Sequence, residues 1–161
     1  MSNTHKPEIQ NIKVDGYNIV SYSYGKGENV LFLLNGGPGL PCDYLRDPHI
    51  HLVEEGYRIV AFDQLGCGNS DRPEDVSLWN ITRYVEEVET VRKELGIVNF
   101  HLLGQSWGGW LSIEYALTYP DRLENPADRL DFSQIRQFNF EPPDFKRFPC
   151  LDLAYTAAEV G

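Results

Sequence analysis

Residues 104–108 read Gly-Gln-Ser-Trp-Gly, directly after the apolar stretch Val-Asn-Phe-His-Leu-Leu at residues 98–103. A helix over residues 109–119 is predicted to follow. The pattern Gly-x-Ser-x-Gly between a buried strand and a helix is typical of a nucleophile elbow, a tight turn that exposes a serine hydroxyl at the helix N-terminus. We therefore predict that Ser106 is a catalytic nucleophile. The alternative is a Gly-Ser turn that merely begins a helix.

A second glycine-rich loop, Asn-Gly-Gly-Pro-Gly at residues 35–39, follows the continuous apolar run at residues 29–34. Such a run is typical of a strand buried on both faces of a parallel sheet. An oxyanion hole takes one backbone N–H from the residue after the nucleophile and another from a loop after an earlier strand. We assign these two donors to Trp107 and Gly37. The residues predicted to support the two loops are Asn35, Gly36, Gly39, Gly104 and Gly108.

A glycine-rich loop after a strand can also bind the pyrophosphate of a dinucleotide. That use needs Gly-x-Gly-x-x-Gly, and the glycines of residues 36–39 have a different spacing. Pro38 would also disturb the helix that should begin there. The three cysteines are widely spaced and include no Cys-x-x-Cys pair, which argues against a structural zinc site or a disulfide framework. We therefore expect neither a cofactor nor a metal.

The rest of the first 124 residues alternates between strand and helix patterns, which indicates an α/β fold with a parallel sheet. A hairpin with an Asp15-Gly16 turn is predicted at its start. The best helix spans residues 81–95, and its polar face is expected to be solvated; that face carries Glu86, Glu87, Glu89 and Lys93. The predicted elements are the hairpin 12–24, strands 29–34, 57–62 and 98–103, a weak helix 44–55 interrupted by Pro48, and helices 81–95 and 109–119.

Three motifs together resemble the proline iminopeptidase group of α/β-hydrolases: the loop at residues 35–39, Asp-Gln-Leu-Gly-Cys-Gly-Asn-Ser at residues 63–70, and Gly-Gln-Ser-Trp-Gly-Gly at residues 104–109. The resemblance covers residues 12–124. It implies part of the α/β-hydrolase fold, an N-terminal hairpin plus parallel strands with crossover helices, with the C-terminal strands and the lid missing. It further implies a serine hydrolase that releases N-terminal residues from peptides or hydrolyses amino-acid amides, without metal or cofactor.

The general base and the acid of a catalytic triad are not identifiable. In this fold the triad runs Ser, then Asp or Glu, then His along the chain, but all four histidines precede Ser106. We expect His101 to be a packed or hydrogen-bonded strand residue, and His49 and His51 to have surface or helix roles, although the triad is defined by geometry and not by order. Asp63 is expected to fix the loop that follows it. The fourth histidine is His5.

The chain is predicted to have three parts: a flexible arm at residues 1–10, the N-terminal half of an α/β-hydrolase domain at 11–124, and a divergent proline-containing tail at 125–161. The tail resembles no family that we identify, and it need not fold natively. A frameshift or premature stop after Leu123 would explain it. We expect a truncated chain that is weakly active or inactive. The alternative is a non-catalytic fragment or module that needs a partner chain.

Composition places the protein among soluble globular proteins, because it is 42% hydrophobic and 24% charged. The net charge of −10 disfavours nucleic acid and anionic membranes as partners. Scattered cysteines and a polar N-terminus predict a cytoplasmic location. The expected ligand is a small peptide or amino-acid amide. Without the strands that should follow, residues 98–103 would form an open sheet edge, so self-association through that edge is also expected.

Overall fold

A computed structural model describes residues 6–122. The chain begins with the predicted hairpin, whose strands β1 (Glu8–Val14) and β2 (Tyr17–Tyr24) pair antiparallel. Asp15 and Gly16 form its turn, and both have positive φ, as a two-residue hairpin turn requires. The later elements are β3 (Asn29–Leu34), α1 (Asp43–His49), β4 (Tyr57–Asp63), α2 (Ile81–Glu94), β5 (His101–Gly104) and α3 (Trp107–Thr118), with short 3-10 turns at Ile50–Glu55, Val76–Leu78 and Pro120–Arg122.

The five strands form one mixed sheet in the order β1-β2-β4-β3-β5. The hairpin joins β4 antiparallel, whereas β3 pairs in parallel with both β4 and β5. Parallel neighbours place their carboxyl ends at one edge of the sheet, so the loops after β3, β4 and β5 meet there. These are the three loops that carry the motifs at residues 35–39, 63–70 and 104–109.

Helices cover both faces of the sheet, which explains the apolar runs in the central strands. Helices α2 and α3 pack on one face over side chains that include Phe32, Phe62 and Phe100. Helix α1 packs on the other face through Leu45. Helix α2 is capped by the side chain of Asn80, and Gly96 follows it with a φ of 64°. Among residues 6–122, no helix is both long enough and apolar enough to cross a membrane.

Two boundaries differ from the sequence predictions. Strand β1 begins at Glu8, which pairs with Ser23, so residues 8–10 belong to the sheet and not to the expected flexible arm. Strand β5 begins at His101 and not at Val98, so it is shorter than predicted. Val98 lies before the strand and is 74% exposed. His101 is exposed and not packed inside a buried strand. The reason is that β5 lies at the edge of the described sheet, where it lacks the neighbour that would cover it.

The expected solvated face of α2 is also wrong at two positions. Glu87 and Glu89 are fully buried. Burying a carboxylate requires partners, and both residues have an arginine on the same helix, Arg83 for Glu87 and Arg92 for Glu89. Glu87 also accepts a hydrogen bond from the Leu65 N–H at 3.1 Å. These carboxylates therefore hold α2 in the core.

Candidate active site

Ser106 occupies the sharp turn between β5 and α3. Its backbone has a φ of 55° and a ψ of −119°, a conformation that side-chain-bearing residues rarely adopt. The Gly108 N–H donates to the Gln105 carbonyl at 2.9 Å and closes the turn, with Ser106 at its first central position. Backbone strain of this kind persists only where the surroundings impose it, and it is concentrated at functional sites. The geometry is the one that a nucleophile elbow requires.

The glycines on either side of Ser106 permit this close packing. A Cβ at Gly104 would overlap the Gly108 carbonyl and the Ser112 hydroxyl. A Cβ at Gly108 would overlap the carbonyl of Leu34, the last residue of β3. Larger residues would therefore push α3 away from the sheet, so the sequence Gly-x-Ser-x-Gly is needed on steric grounds.

The loop after β3 brings a glycine-rich backbone beside the elbow. Gly36 and Gly37 follow the strand, and Gly37 has a φ of 120°. The Gly36 N–H donates to the Tyr44 hydroxyl at 2.6 Å. Within residues 6–122, no acceptor takes the N–H of Gly37. Of the two amides, that of Gly37 is thus the one without an acceptor in the described part of the chain.

A buried hydrogen-bonded network joins this loop to the elbow through Gln64. The Gln64 Nε2 donates to the carbonyl of Asn35 at 3.0 Å and to its side-chain oxygen at 3.2 Å. The Gln64 Oε1 accepts from the indole N–H of Trp107 at 2.9 Å. All three residues are buried. Asn35 also donates to the Leu40 carbonyl across its own loop. The network sets the position of the glycine-rich loop relative to the start of α3.

Asp63, at the carboxyl end of β4, anchors two loops at once. Its Oδ1 accepts from the Cys42 N–H at 2.9 Å. Its Oδ2 accepts from the Asn69 N–H at 2.9 Å and from the Tyr22 hydroxyl at 3.1 Å. A Cβ at Gly68 would overlap the carboxylate, so the loop wraps closely around it. Asp63 thus fixes the loop that follows it, as expected, and also the start of α1.

The described histidines are bound elsewhere. His49 Nδ1 lies 2.7 Å from the Leu45 carbonyl and His51 Nδ1 lies 2.7 Å from the Pro48 carbonyl, both local contacts around α1. His101 begins β5, at the end of the strand away from the elbow, with its ring 6.4 Å from that of Tyr57. None of these three rings is hydrogen-bonded to Ser106. The remaining histidine, His5, lies outside the described residues.

The two described cysteines do not offer an alternative nucleophile. Burial raises the pKa of the Cys42 thiol far above its usual range and raises the pKa of Cys67 to about 12. Asp63 adds to both shifts through its negative charge. Because the thiolate is the reactive form, neither side chain is reactive near neutral pH. In the part of the chain that the structure describes, no group of His, Cys, Asp and Glu residues could hold a metal ion.

A cleft of about 510 Å³ opens beside the glycine-rich loop. Its lining includes Pro38 and Gly39 of that loop and the aromatic side chains of Trp79 and Tyr84. A mostly apolar cleft with a few polar groups is typical of small-molecule sites. Its lining also includes one residue of each charge, Arg72 and Glu74.

Sequence reasoning placed the loop and elbow residues together but missed Tyr44 and Gln64. Gln64 belongs to the motif at residues 63–70, and its place in that motif could have marked it as a site residue. Tyr44 lies in the helix that the sequence predicted only weakly, and nothing in the local pattern marks its hydroxyl. The cleft residues Trp79 and Tyr84 come from the connection to α2 and its first turn, where the pattern indicated only a helix start.

Two family models match parts of the chain. The model for the alpha/beta hydrolase fold matches residues 29–125, more than half of the chain. The model for the DXP reductoisomerase C-terminal domain matches residues 110–161. The tail, in which we identified no family resemblance, thus lies within a match that the sequence pattern did not reveal. The two matches overlap from residue 110 to residue 125.

Curated relatives and solved structures match the same N-terminal region. Proline iminopeptidase from Elizabethkingia meningoseptica is 40% identical over 114 residues, and that from Chitinophaga pinensis is 42% identical over 111 residues. These alignments cover 69% and 67% of this chain but only 38% and 37% of the relatives, so the chain spans well under half of their length.

Among solved structures, proline iminopeptidase from Mycobacterium smegmatis superposes with a TM-score of 0.67 at 29% identity, over 72% of this chain and 41% of that one. An epoxide hydrolase from Vigna radiata superposes with a TM-score of 0.66 at 28% identity, over 73% of this chain and 37% of that one. Together with the mixed sheet, its flanking helices and the elbow, these matches identify the chain as a member of the α/β-hydrolase fold family.

Proposed function

We propose that this chain carries the nucleophile-bearing part of a serine hydrolase of the proline iminopeptidase type. Such an enzyme would release N-terminal residues from peptides or hydrolyse amino-acid amides, with Ser106 as nucleophile. The observation that carries the proposal is the strained backbone of Ser106, in a turn that Tyr44 joins to the glycine-rich loop whose Gly37 N–H has no acceptor in the described residues. The identity to curated proline iminopeptidases supports the substrate class.

The proposed chemistry is acyl transfer. The Ser106 hydroxyl attacks a carbonyl carbon, and the oxyanion that forms accepts hydrogen bonds from the Gly37 and Trp107 N–H groups. Collapse of this intermediate breaks the C–N bond, the amine leaves with the proton taken from the serine, and water then releases the acyl group from Ser106. A general base must take the serine proton, and none of the described histidines is placed to do so. We therefore propose that the chain alone is weakly active. Removing a triad member typically leaves about 10³- to 10⁴-fold acceleration over water, which comes from the oxyanion hole and from binding.

The test is the intact mass of the protein after incubation with a fluorophosphonate, with Ser106→Ala as the control. We expect a single adduct that forms slowly on the unmodified chain and not on the variant. The probe reports an activated serine without requiring the correct peptide. No adduct on a folded chain would reject the hydrolase proposal in favour of the non-catalytic module. An adduct that persists in Ser106→Ala would place the reactive group elsewhere.

We further propose that the hydrolase part ends near residue 124 and that residues 125–161 have a separate origin. Two findings support this: the hydrolase match ends at residue 125, and the second match extends through residue 161. A junction between two unrelated segments explains the change in composition without a frameshift. It also accounts for a tail that offers no histidine. Sequencing of the genomic DNA across codons 110–125 tests the junction. We expect one continuous reading frame, and finding the codons for the two segments at separate loci would exclude a natural fusion.

The proposed ligand is a small peptide or an amino-acid amide, with no nucleic acid or membrane partner. The acidic charge of −10 supports the exclusion of polyanions. The free, buried thiols of Cys42 and Cys67 support a cytoplasmic location. Self-association through the open edge of β5 is a further part of the proposal, supported by the position of that strand at the end of the described sheet.

A further inference from the structure

We propose that Tyr44 is a positioning residue, whose hydroxyl clasps the glycine-rich loop to the elbow and so holds the Gly37 amide toward Ser106. The inference rests on the proposed function, because it assigns how one part of the oxyanion hole is set. Tyr44 would touch neither the substrate nor the reacting atoms. It would act through Gly36 and Gln105.

The Tyr44 hydroxyl uses both of its hydrogen-bonding roles on these two neighbours. It accepts from the Gly36 N–H at 2.6 Å and donates to Gln105 Oε1 at 2.8 Å. Gly36 directly precedes Gly37, and Gln105 directly precedes Ser106. One hydroxyl therefore connects the residue before the proposed oxyanion donor to the residue before the proposed nucleophile.

The two loops meet here without space for a side chain. A Cβ on Gly36 would lie 2.6 Å from Gln105 Oε1, 3.0 Å from the Tyr44 hydroxyl and 3.1 Å from the Gln105 carbonyl. Any rotation of the Gly36 peptide would also turn the amide of Gly37. The Gly36 N–H is bound by Tyr44, so the Asn35–Gly36 peptide is held in place. This limits how far the next peptide, Gly36–Gly37, which carries the Gly37 N–H, can turn. Gln64 fixes the same loop from the buried side through Asn35.

The hydroxyl of Tyr44, and not the packing of its ring, is the part of the side chain that the proposal needs. The Tyr44 side chain is 40% exposed, and the change to phenylalanine keeps the ring and removes only the hydroxyl. The hydroxyl is the part that reaches the loops. Burial raises the pKa of Tyr44, so the phenol stays protonated at neutral pH and keeps its proton to donate to Gln105. The helix that carries it is held to the sheet two residues earlier, where the Cys42 N–H donates to Asp63.

The experiment compares Tyr44→Phe with Tyr24→Phe in the full chain. Tyr24 lies in β2, and its hydroxyl makes no hydrogen bond to any residue in the described range. The first readout is the second-order rate constant for labelling of Ser106 by a p-nitrophenyl phosphonate. We expect about a tenfold decrease in Tyr44→Phe, the rate equivalent of one hydrogen bond, and no change in Tyr24→Phe. Thermal melts of both variants should show that each is fully folded at the temperature of the labelling reaction.

Gln105→Ala tests the other end of the clasp, alone and combined with Tyr44→Phe. If the two side chains act as one unit, the double variant will be labelled no more slowly than either single variant. Independent, multiplying decreases would overturn the clasp. Equal labelling of the unmodified chain and Tyr44→Phe would overturn it as well. A third result would also overturn it: the labelling rate of Tyr44→Phe falls only in proportion to its loss of folded protein, while Gln105→Ala stays folded and is labelled at the unmodified rate.

A second readout needs no reactive serine. Amide hydrogen exchange of Gly36 and Gly37 can be followed by NMR in the same proteins. We expect exchange at Gly36 to accelerate by about tenfold or more in Tyr44→Phe, since the hydrogen bond that protects this amide is lost, and to stay unchanged in Tyr24→Phe. Gly37, whose N–H has no acceptor to lose, reports any wider loosening of the loop. If the unmodified chain takes no label, the proposed hydrolase function fails while this measurement still decides the clasp. Unchanged exchange in Tyr44→Phe would reject the clasp whatever the labelling shows.

Discussion

Gln64 shows at the residue scale why the site needs one particular side chain. Its amide donates to Asn35 and accepts from Trp107 in a fully buried position. An amide supplies a donor and an acceptor on two separate atoms of one uncharged group, so it can reach Asn35 and Trp107 at once. A carboxylate would lack the donor, and an aliphatic side chain would lack both.

We predict that Gln64→Leu lowers the free energy of unfolding by about 1–3 kcal/mol, because it leaves the Trp107 indole N–H and the Asn35 carbonyl buried without their partner. Urea denaturation followed by tryptophan fluorescence measures this. The matched control is Gln10→Leu, since the Gln10 amide bonds only to the exposed Glu8. Equal stability of the two variants would mean that water replaces the lost contacts.

The backbone of Ser106 supports a second prediction at this scale. At a φ of 55° and a ψ of −119°, glycine is unstrained, whereas any residue with a Cβ carries a cost of order 1–3 kcal/mol. We expect Ser106→Gly to be more stable than Ser106→Ala by about 1 kcal/mol or more in urea denaturation. Both variants lack the hydroxyl, so the comparison isolates the backbone. The reverse order would show that the turn is relaxed in the folded protein.

At the element scale, Glu89 ties α2 to α3. Its carboxylate accepts from the Tyr115 hydroxyl of α3 at 2.7 Å and pairs with Arg92 at 2.8 Å. Lys93 lies 3.3 Å away and Arg122 lies 3.6 Å away. Burial opposes ionisation of Glu89, but the bonds from Arg92 and Tyr115 outweigh it and lower its pKa from 4.5 to about 2. The charged form of Glu89 is therefore the one that stabilises the helix pair.

The stability that this pair provides should depend on pH. The pKa of Glu89 is lower in the folded state than in the unfolded state, so its contribution is complete above about pH 5 and is lost as the pH falls from 4.5 toward 2. We predict that Glu89→Gln loses less stability over this range than the unmodified protein. Urea denaturation at stepped pH values measures the slopes.

The control for that prediction is Glu94→Gln, on the exposed side of the same helix. It should keep the steep slope of the unmodified protein. The neighbouring Glu87 is affected in the opposite direction, because burial raises its pKa. Indistinguishable slopes in Glu89→Gln and Glu94→Gln would show that other carboxylates set the acid limit of stability.

The elements also show where sequence reasoning succeeds. Alternation of apolar runs with a 3.6-residue pattern identified the sheet and α2, because both signals are local. The elbow and the glycine-rich loop were recognised from motif and context. Burial of Glu87 and Glu89 escaped prediction because their partners, Leu65 and Tyr115, come from other elements. The clasp through Tyr44 escaped for the same reason, since it joins residues 61 positions apart.

At the scale of the whole molecule, β5 is the edge of the described sheet. Gln105 donates its N–H to Leu34 of β3. Successive residues of a strand alternate in direction, so the N–H of Leu103 also faces β3 and that of Leu102 faces the open side. Leu102 and Leu103 are only half-buried. Such an edge is a template for pairing with another chain.

We predict that the protein self-associates as its concentration rises and that Leu102→Pro suppresses this. Proline removes an N–H that faces the open edge without removing a bond to β3. Sedimentation velocity over a range of concentrations measures the effect. Leu102→Ala is the matched control, because it loses the same side chain but keeps the N–H, and it should still associate. If the unmodified chain stays monomeric at every concentration, the open edge is not used for pairing.

The residues that hold Ser106 in its turn and fasten the glycine-rich loop to it all precede residue 113: Asn35, Tyr44, Asp63, Gln64, Gly104, Gly108 and Ser112. Synthesis on the ribosome proceeds from the N-terminus, and domains can begin to fold during it. In relatives more than two and a half times as long as the matched segment, the geometry around the serine could therefore form while most of the C-terminal half is still untranslated. The reactive centre would then be built early, and its reactivity would be conferred later, when the remainder of the polypeptide emerges.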